Sequence, residues 1–376
     1  MSCDIHQSVA SANRVVIKVG TSTLTHATGK LNLARMERLA RQMADLRNRG
    51  MEIILVTSGA VGAGMGKMGM DRRPSQISAR QALAAIGQGV LMHTYEKLFS
   101  EYSVTVAQVL LTRGDIEHRE RYLNARNTMF KLLKYGAIPI VNENDTLAFE
   151  EIKIGENDML SAMVAGLTDA DLLVILSDIQ GLYTSDPHKD PNAKLVPVIR
   201  EITDETQSFA GGAVSKFGSG GMATKLQAAR VATSQGIPVV LTSGAGKDVL
   251  SNLMEGVCDG TFFLPSEHPM GRRKGWIAFN TRPEGILFMD DGAAQAIRHK
   301  GKSLLPKGIY GLEGNFSRGD IVSLSAAEGE FARGIVNFSA DQVRLIMGRH
   351  TKEIEEILGS GQDAEVVHRD NLSVRI

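Results

Sequence analysis

Cysteine is nearly missing from this chain: Cys3 and Cys258 are the only two in 376 residues. Two thiols so far apart build neither a disulfide framework nor a cysteine-rich metal centre, and such sparse usage fits a reducing compartment. Aromatic residues make up 5%, with Trp276 the single tryptophan. No run approaches the ~18 consecutive apolar residues of a membrane span. The first 13 residues are polar and mixed and lack the apolar centre of a secretory signal. They are expected to form a short loose arm on a cytoplasmic protein. Net charge is lacking as well: 42 Lys+Arg balance 42 Asp+Glu, which argues against attraction of the whole protein to nucleic acid or to an anionic membrane. Neither H-E-x-x-H nor C-x-x-C occurs, the nine histidines are scattered, and no G-x-x-x-x-G-K-[ST] loop is present. These absences leave no visible zinc site, nucleophile triad or Walker-type nucleotide loop.

What is present is an ordinary globular composition, 43% hydrophobic and 22% charged, in a chain long enough for two domains. Short runs rich in Val, Ile and Leu recur at Val15–Val19, Ile53–Thr57, Val104–Leu110, Ile138–Val141, Leu172–Leu176 and Ile237–Leu241. Between them lie helical patterns. Leu33, Met36, Leu39, Met43 and Leu46 recur at three- and four-residue spacing before Gly50, and similar stretches end at Gly136 and Gly236. Strands alternating with helices predict an α/β domain, a mainly parallel open sheet with helices on both faces. This domain is expected to span residues 14–265. A turn-rich, basic connector is expected at 266–281, from Pro269, Gly271, Arg272, Arg273 and Lys274. Beyond it, 282–376 reads as a small β-rich domain, with short strand-like runs at Gly285–Met289, Gly314–Asn315, Asp320–Leu324 and Gly334–Phe338.

Glycine is abundant, with 39 residues clustered after the strand-like runs. The stretch Gly64-Met65-Gly66-Lys67-Met68-Gly69 has the spelling G-x-G-x-x-G. A dinucleotide site also needs an acidic residue about 20 positions on to hold the ribose, and no Asp or Glu lies between Asp71 and Glu96. Three other turns are better placed for phosphate: Lys18-Val19-Gly20-Thr21-Ser22, Thr57-Ser58-Gly59-Ala60, and Gly218-Ser219-Gly220-Gly221-Met222-Ala223-Thr224-Lys225 at the start of a helix. Backbone amides at such turns bind anions, and Lys18 and Lys225 add mobile charge. Six acidic residues fall between Asn142 and Asp158, beginning with Asn142-Glu143-Asn144-Asp145. Asn and Asp at the carboxyl end of a strand suit an ammonium group and the polar edges of a small molecule. Asp158 begins an apolar helix, where it either caps the helix or orients the two lysines. Ser177 and Asp178 follow another strand and suit nucleotide contacts, with Gly181 providing a bend. Phosphate grips and cations without a nucleophile suit direct phosphoryl transfer.

Five of these segments, Lys18–Ser22, Val56–Ala60, Asn142–Asp145, Ser177–Tyr183 and Gly218–Lys225, together resemble the amino-acid kinase superfamily. With Ile152–Asp158 and a trailing β domain, the wording is similar to the glutamate 5-kinase family. The tail, through Ser303–Ile309 and Gly314–Asp320, resembles a PUA domain. The likeness runs from Arg14 to about Asp370 and implies ATP-dependent phosphorylation of the L-glutamate γ-carboxylate, the first step of proline synthesis, under proline feedback. Carried over by motif, Lys18 and Lys225 would stabilise the moving phosphoryl group and Asp158 would hold them. Ser58, Asp145 and Asn157 would bind glutamate, with Asn142 and Glu156 nearby. Lys18, Ser177, Asp178 and the turn Ser219, Gly220, Gly221, Met222, Ala223, Thr224 and Lys225 would hold ATP, accompanied by Mg²⁺, with no metal-ligating side chain singled out. Ser177 stands where many members carry Thr, and keeps the hydroxyl. A homo-oligomer, dimer or tetramer, is implied too. PUA domains elsewhere bind RNA, but from Thr281 onward 12 Lys+Arg face 14 Asp+Glu, a net charge of −2, so RNA binding is not expected here. Two alternatives stay open: another acyl or phosphate kinase of the superfamily, and a non-catalytic RNA-associated protein on a kinase-like fold.

Overall fold

A computed structural model describes residues 9–26, 30–147, 157–187, 189–209, 221–257, 259–267, 269–279, 281–359 and 364–374. The chain divides into two compact units, Met1–Pro269 and Met270–Ile376. In the first, eight strands form one sheet: β1 (Arg14–Val19), β2 (Glu52–Val56), β3 (Val106–Leu111), β4 (Ile138–Glu143), β5 (Leu172–Ser177), β6 (Val198–Ile199), β7 (Val239–Ser243) and β8 (Gly260–Phe263). Their order is β3-β4-β2-β1-β5-β7-β8-β6. Every pairing is parallel except β7 with β8. The apolar runs explain this burial pattern. Val15, Val16 and Ile17 in β1 and Leu172 through Leu176 in β5 are all buried, so helices cover both faces of the central strands. From β1 the chain winds one way to β2, β3 and β4, and then returns to β5 on the other side. The reversal falls between β1 and β5, where the carboxyl ends of an open parallel sheet leave a crevice for ligands.

The helix Leu33–Asn48 buries Met36, Leu39, Met43 and Leu46 as the spacing predicts, but Leu33 is exposed. It is the first residue after the cap Asn32, whose side chain accepts a hydrogen bond from the Arg35 amide. Residues 9–13 differ from the expected loose arm. Val9 and Ala12 are buried in the main core, and the Asn13 amide donates to Asp171 Oδ2 at 2.9 Å.

The G-x-G-x-x-G stretch is helical, not a loop. Gly64 to Met68 lie in the helix Ala60–Met68, which begins after Gly59 in the left-handed region at φ 92° and is capped by Gly69. That helix crosses the long helix Ile77–Ser100 at very short range. A Cβ on Gly64 would stand 2.0 Å from the Leu83 carbonyl oxygen, and one on Gly87 would stand 1.7 Å from the Ala60 carbonyl oxygen. Both obstructions are backbone atoms and cannot swing aside. Gly87→Ala is therefore expected to destabilise this unit by about 3 kcal/mol, read as a lowered urea midpoint. An unchanged midpoint would show that the two helices can part without cost.

The second unit holds a five-stranded sheet of β9 (Gly285–Met289), β10 (Ile309–Gly314), β11 (Ile321–Ala326), β12 (Gly329–Ile335) and β13 (Leu372–Val374), in the order β10-β9-β11-β12-β13. Leu287, Val322, Leu324, Phe331 and Phe338 fill its core. The run expected at Gly334–Phe338 is displaced, because a hairpin turning at Gly329 starts β12 earlier. The expected connector 266–281 contains a helix, Arg272–Phe279, with Trp276, Ile277 and Ala278 buried. Its turn-forming residues stop at Gly271, and the apolar triplet behind them packs once the helix forms.

Candidate active site

β1 carries Lys18 into the sheet centre, paired in register with Val56 of β2 and Ile175 of β5. The helix Asn157–Thr168 presents Asp158 in its first turn, and the helix Met222–Ser234 presents Thr224 and Lys225 in its own. The three meet. Lys18 Nζ lies 2.6 Å from Asp158 Oδ1, and Lys225 Nζ lies 3.4 Å from Oδ2. Thr224 Oγ1 also donates to Oδ2 at 2.9 Å. Asp158 is fully buried, and Lys18 and Lys225 are only 6% and 8% exposed. Burial alone would push the Asp158 carboxyl upward. The Lys18 and Lys225 ammoniums, with hydrogen bonds from Lys18 and Thr224, outweigh it and hold the group below its usual range. Two cations thus share one buried anion. A Cβ on Gly20 would come within 3.2 Å of Lys18 Nζ, so glycine there keeps one flank of the ammonium clear.

A second cluster gathers beside it. Asn157 Nδ2 donates to Asn142 Oδ1 at 2.8 Å, to Ser58 Oγ at 3.0 Å and to the Thr57 carbonyl. Asn142, buried at the end of β4, donates in turn to Gln88 Oε1 at 2.8 Å. One side-chain amide therefore joins the ends of β2 and β4 to the start of the Asp158 helix. On the other side of β1, Ser177 Oγ donates to Asp178 Oδ1 at 3.1 Å, and Asp178 is exposed. The chain bends at Gly181, as expected. Its bare Cα lets Thr261 approach, since a Cβ would stand 2.6 Å from Thr261 Oγ1, and that hydroxyl accepts from the Leu182 amide at 2.8 Å.

Most of the residues singled out from sequence fall into three groups: Lys18 with Asp158 and Lys225; Ser58 with Asn142 and Asn157; Ser177 with Asp178. Gly221 caps the Met222 helix with Ala223 and Thr224 in its first turn. Asp145 is half-buried two residues past β4. Glu156, Ser219 and Gly220 lie outside the described residues. Sequence reasoning missed Gln88 and Tyr95. Tyr95 is buried and shares a 2.9 Å hydrogen bond with Thr57 Oγ1, and burial raises its phenol far above the ordinary value. Both sit on the buried face of the long helix, seven positions apart, and that spacing was the available signal.

The first unit matches the amino acid kinase family over residues 13–243, and residues 285–358 match the PUA domain. The chain belongs to the amino acid kinase family and is a kinase. It is 54% identical over 368 residues to the glutamate 5-kinase of Moorella thermoacetica, covering 98% of this chain and 97% of that one. Against the glutamate 5-kinase of Caldanaerobacter subterraneus subsp. tengcongensis the identity is 52%, covering 96% of this chain and 97% of that one. Against the enzyme of that name from Geobacter sulfurreducens it is 47%, covering 97% and 98%. Within its family the chain groups with the glutamate 5-kinases. Among solved structures, the UMP kinase of Ureaplasma parvum aligns with 67% of this chain and 98% of its own, at 14% identity and a TM-score of 0.48.

Proposed function

We propose that this enzyme transfers the γ-phosphoryl group of ATP to the γ-carboxylate of L-glutamate, the first step of proline synthesis in the cytoplasm, and that proline restrains it. The observation that carries this reading is the pair of lysines held by one buried aspartate at the reversal point of the sheet. Bringing a carboxylate to a γ-phosphate sets anion against anion. Unit charges ~4 Å apart repel by about 4 kcal/mol at an effective dielectric of 20. Lys18 and Lys225 offset that repulsion from two sides, and both are positioned before substrate arrives, so little reorganisation is needed in the transition state. The amides opening the Met222 helix suit ATP phosphates. Ser58, Asn142, Asn157 and Asp145 stand at the ends of the neighbouring strands, where the acceptor amino acid would lie.

Among the described residues no three His, Cys, Asp or Glu side chains cluster to hold a metal. That suits Mg²⁺, which keeps much of its water and is held mainly by phosphates with one or two carboxylates. When bound with ATP it supplies charge neutralisation on the phosphates. A homo-oligomer and a PUA unit that does not bind RNA complete the reading. No helix among the described residues is long and apolar enough to cross a membrane.

With ATP, Mg²⁺ and hydroxylamine, glutamate should yield γ-glutamyl hydroxamate, and added proline should reduce the yield. Product with aspartate, acetylglutamate or carbamate instead would assign the site to another acyl or phosphate kinase. No product with any acid would point to a non-catalytic role.

A further inference from the structure

We propose that Gln88, on the long helix Ile77–Ser100, is a positioning residue that fixes how the acceptor amino acid is recognised. This rests on the reading of the site as one that phosphorylates an amino acid.

Gln88 is 9% exposed, and its Nε2 is buried without a hydrogen-bond partner among the described residues. Leaving such a donor unpaired costs stability, and an apolar side chain of similar length would avoid that cost. The nitrogen therefore does not account for an amide at this position. Its other end has a clear task. Gln88 Oε1 accepts from Asn142 Nδ2 at 2.8 Å, and Asn142 Oδ1 accepts from Asn157 Nδ2 at 2.8 Å. Asn142 Oδ1 also accepts the Glu143 amide at 2.9 Å.

The three amides form a relay with one direction. The Glu143 amide and Gln88 Oε1 together turn the Asn142 nitrogen toward Gln88 and its oxygen toward Asn157. Asn157 must then turn its own nitrogen inward, where Ser58 Oγ and the Thr57 carbonyl also receive it. The Asn157 amide oxygen is left as an acceptor that takes no hydrogen bond within the relay. At pH 7 the α-ammonium is the only donor on an acidic amino acid. Gln88, two residues removed from substrate, thereby holds the polarity of the atom that reads the ammonium.

The helix that carries Gln88 is held to do this. Gly87, next to it, lies against the Ala60 backbone, and Tyr95 on the same face anchors Thr57. The amide can therefore neither retreat nor rotate with its helix.

The test compares Gln88→Met, which removes the accepting oxygen, with Gln88→Glu, which keeps one. For Gln88→Met the KM for glutamate should rise about tenfold, the effect of misdirecting one hydrogen bond. Its KM for ATP and its kcat should stay within about twofold of wild type, and its thermal midpoint should change little, since one unpaired donor, Gln88 Nε2, is exchanged for another, Asn142 Nδ2. Gln88→Glu should recover most of the glutamate affinity. A wild-type KM in Gln88→Met would overturn the relay. So would an equal rise in both KM values, or a Glu variant as impaired as the Met variant. The wild-type enzyme separates this from the reading beneath it. If it turns over another amino acid, the same ratios are read with that substrate, and the relay is judged on them. If glutamate neither turns over nor shifts its thermal midpoint, the proposed function fails and the relay falls with it.

Discussion

Replacing Lys225 with alanine is expected to lower turnover by about 10²–10³ while glutamate affinity stays near the wild-type value, by analogy with losing one preorganised charge-stabilising donor. The separation follows from where the side chain sits. Lys225 approaches Asp158 from the first turn of the Met222 helix, whereas Ser58, Asn142 and Asn157 are joined to one another. The variant should also fold, because Asp158 keeps Lys18 at 2.6 Å and Thr224 at 2.9 Å. The measurements are hydroxamate formation at saturating substrates and calorimetric titration with glutamate. Near-normal turnover would remove Lys225 from the chemistry.

Asp158→Asn should affect both activity and stability. It keeps the shape of the side chain but removes the carboxylate that both buried ammoniums share, a change that costs about 3–5 kcal/mol when one partner of a buried pair is lost. Turnover should fall with it, since repulsion would drive the two lysines apart. The carboxyl titrates below its ordinary value of 3.8 in the folded protein. Its stabilisation is therefore complete above that value and is lost as the pH falls through the lower, folded pKa. Thermal midpoints of wild type and variant should differ most near neutral pH and converge in the acid range below about 4. A gap that stays constant down to pH 2 would show that the pair contributes nothing through ionisation.

Much of the kinase unit was legible because buried parallel strands write themselves as unbroken aliphatic runs. β1, β2, β4, β5 and β7 each read that way, and the helices before Gly50, Gly136 and Gly236 end where a left-handed φ requires glycine. The meeting of Lys18 with Lys225 was legible because each follows or opens a glycine turn at the same edge of the sheet. Other parts were hidden for physical reasons. β6 is two residues long and β8 only four, too short for any period to show. The Ala60 and Ile77 helices carry glycine inside them, a local cost that only their crossing repays, so local preference reads as loop. Gln88 is a polar side chain on an otherwise apolar stripe, and nothing in the sequence reveals that Asn142 comes to meet it.

The helix bearing Asp158 is fastened at its far end too. Arg126 donates to the Leu167 carbonyl at 2.5 Å and pairs with Asp169 at 2.5 Å, while Arg14 donates to the Thr168 carbonyl at 2.6 Å. Both guanidiniums lie over the Phe130 ring, at 4.6 and 4.7 Å from its centre. Ten residues of helix span about 15 Å, and a rod of that length slides as one piece. A slip of ~1 Å at its tail would reach the aspartate undiminished, and misplacements of that size can cost about a hundredfold in rate. Two arginines at the far end of the helix thus act as the brake that keeps Asp158 and its two lysines in register.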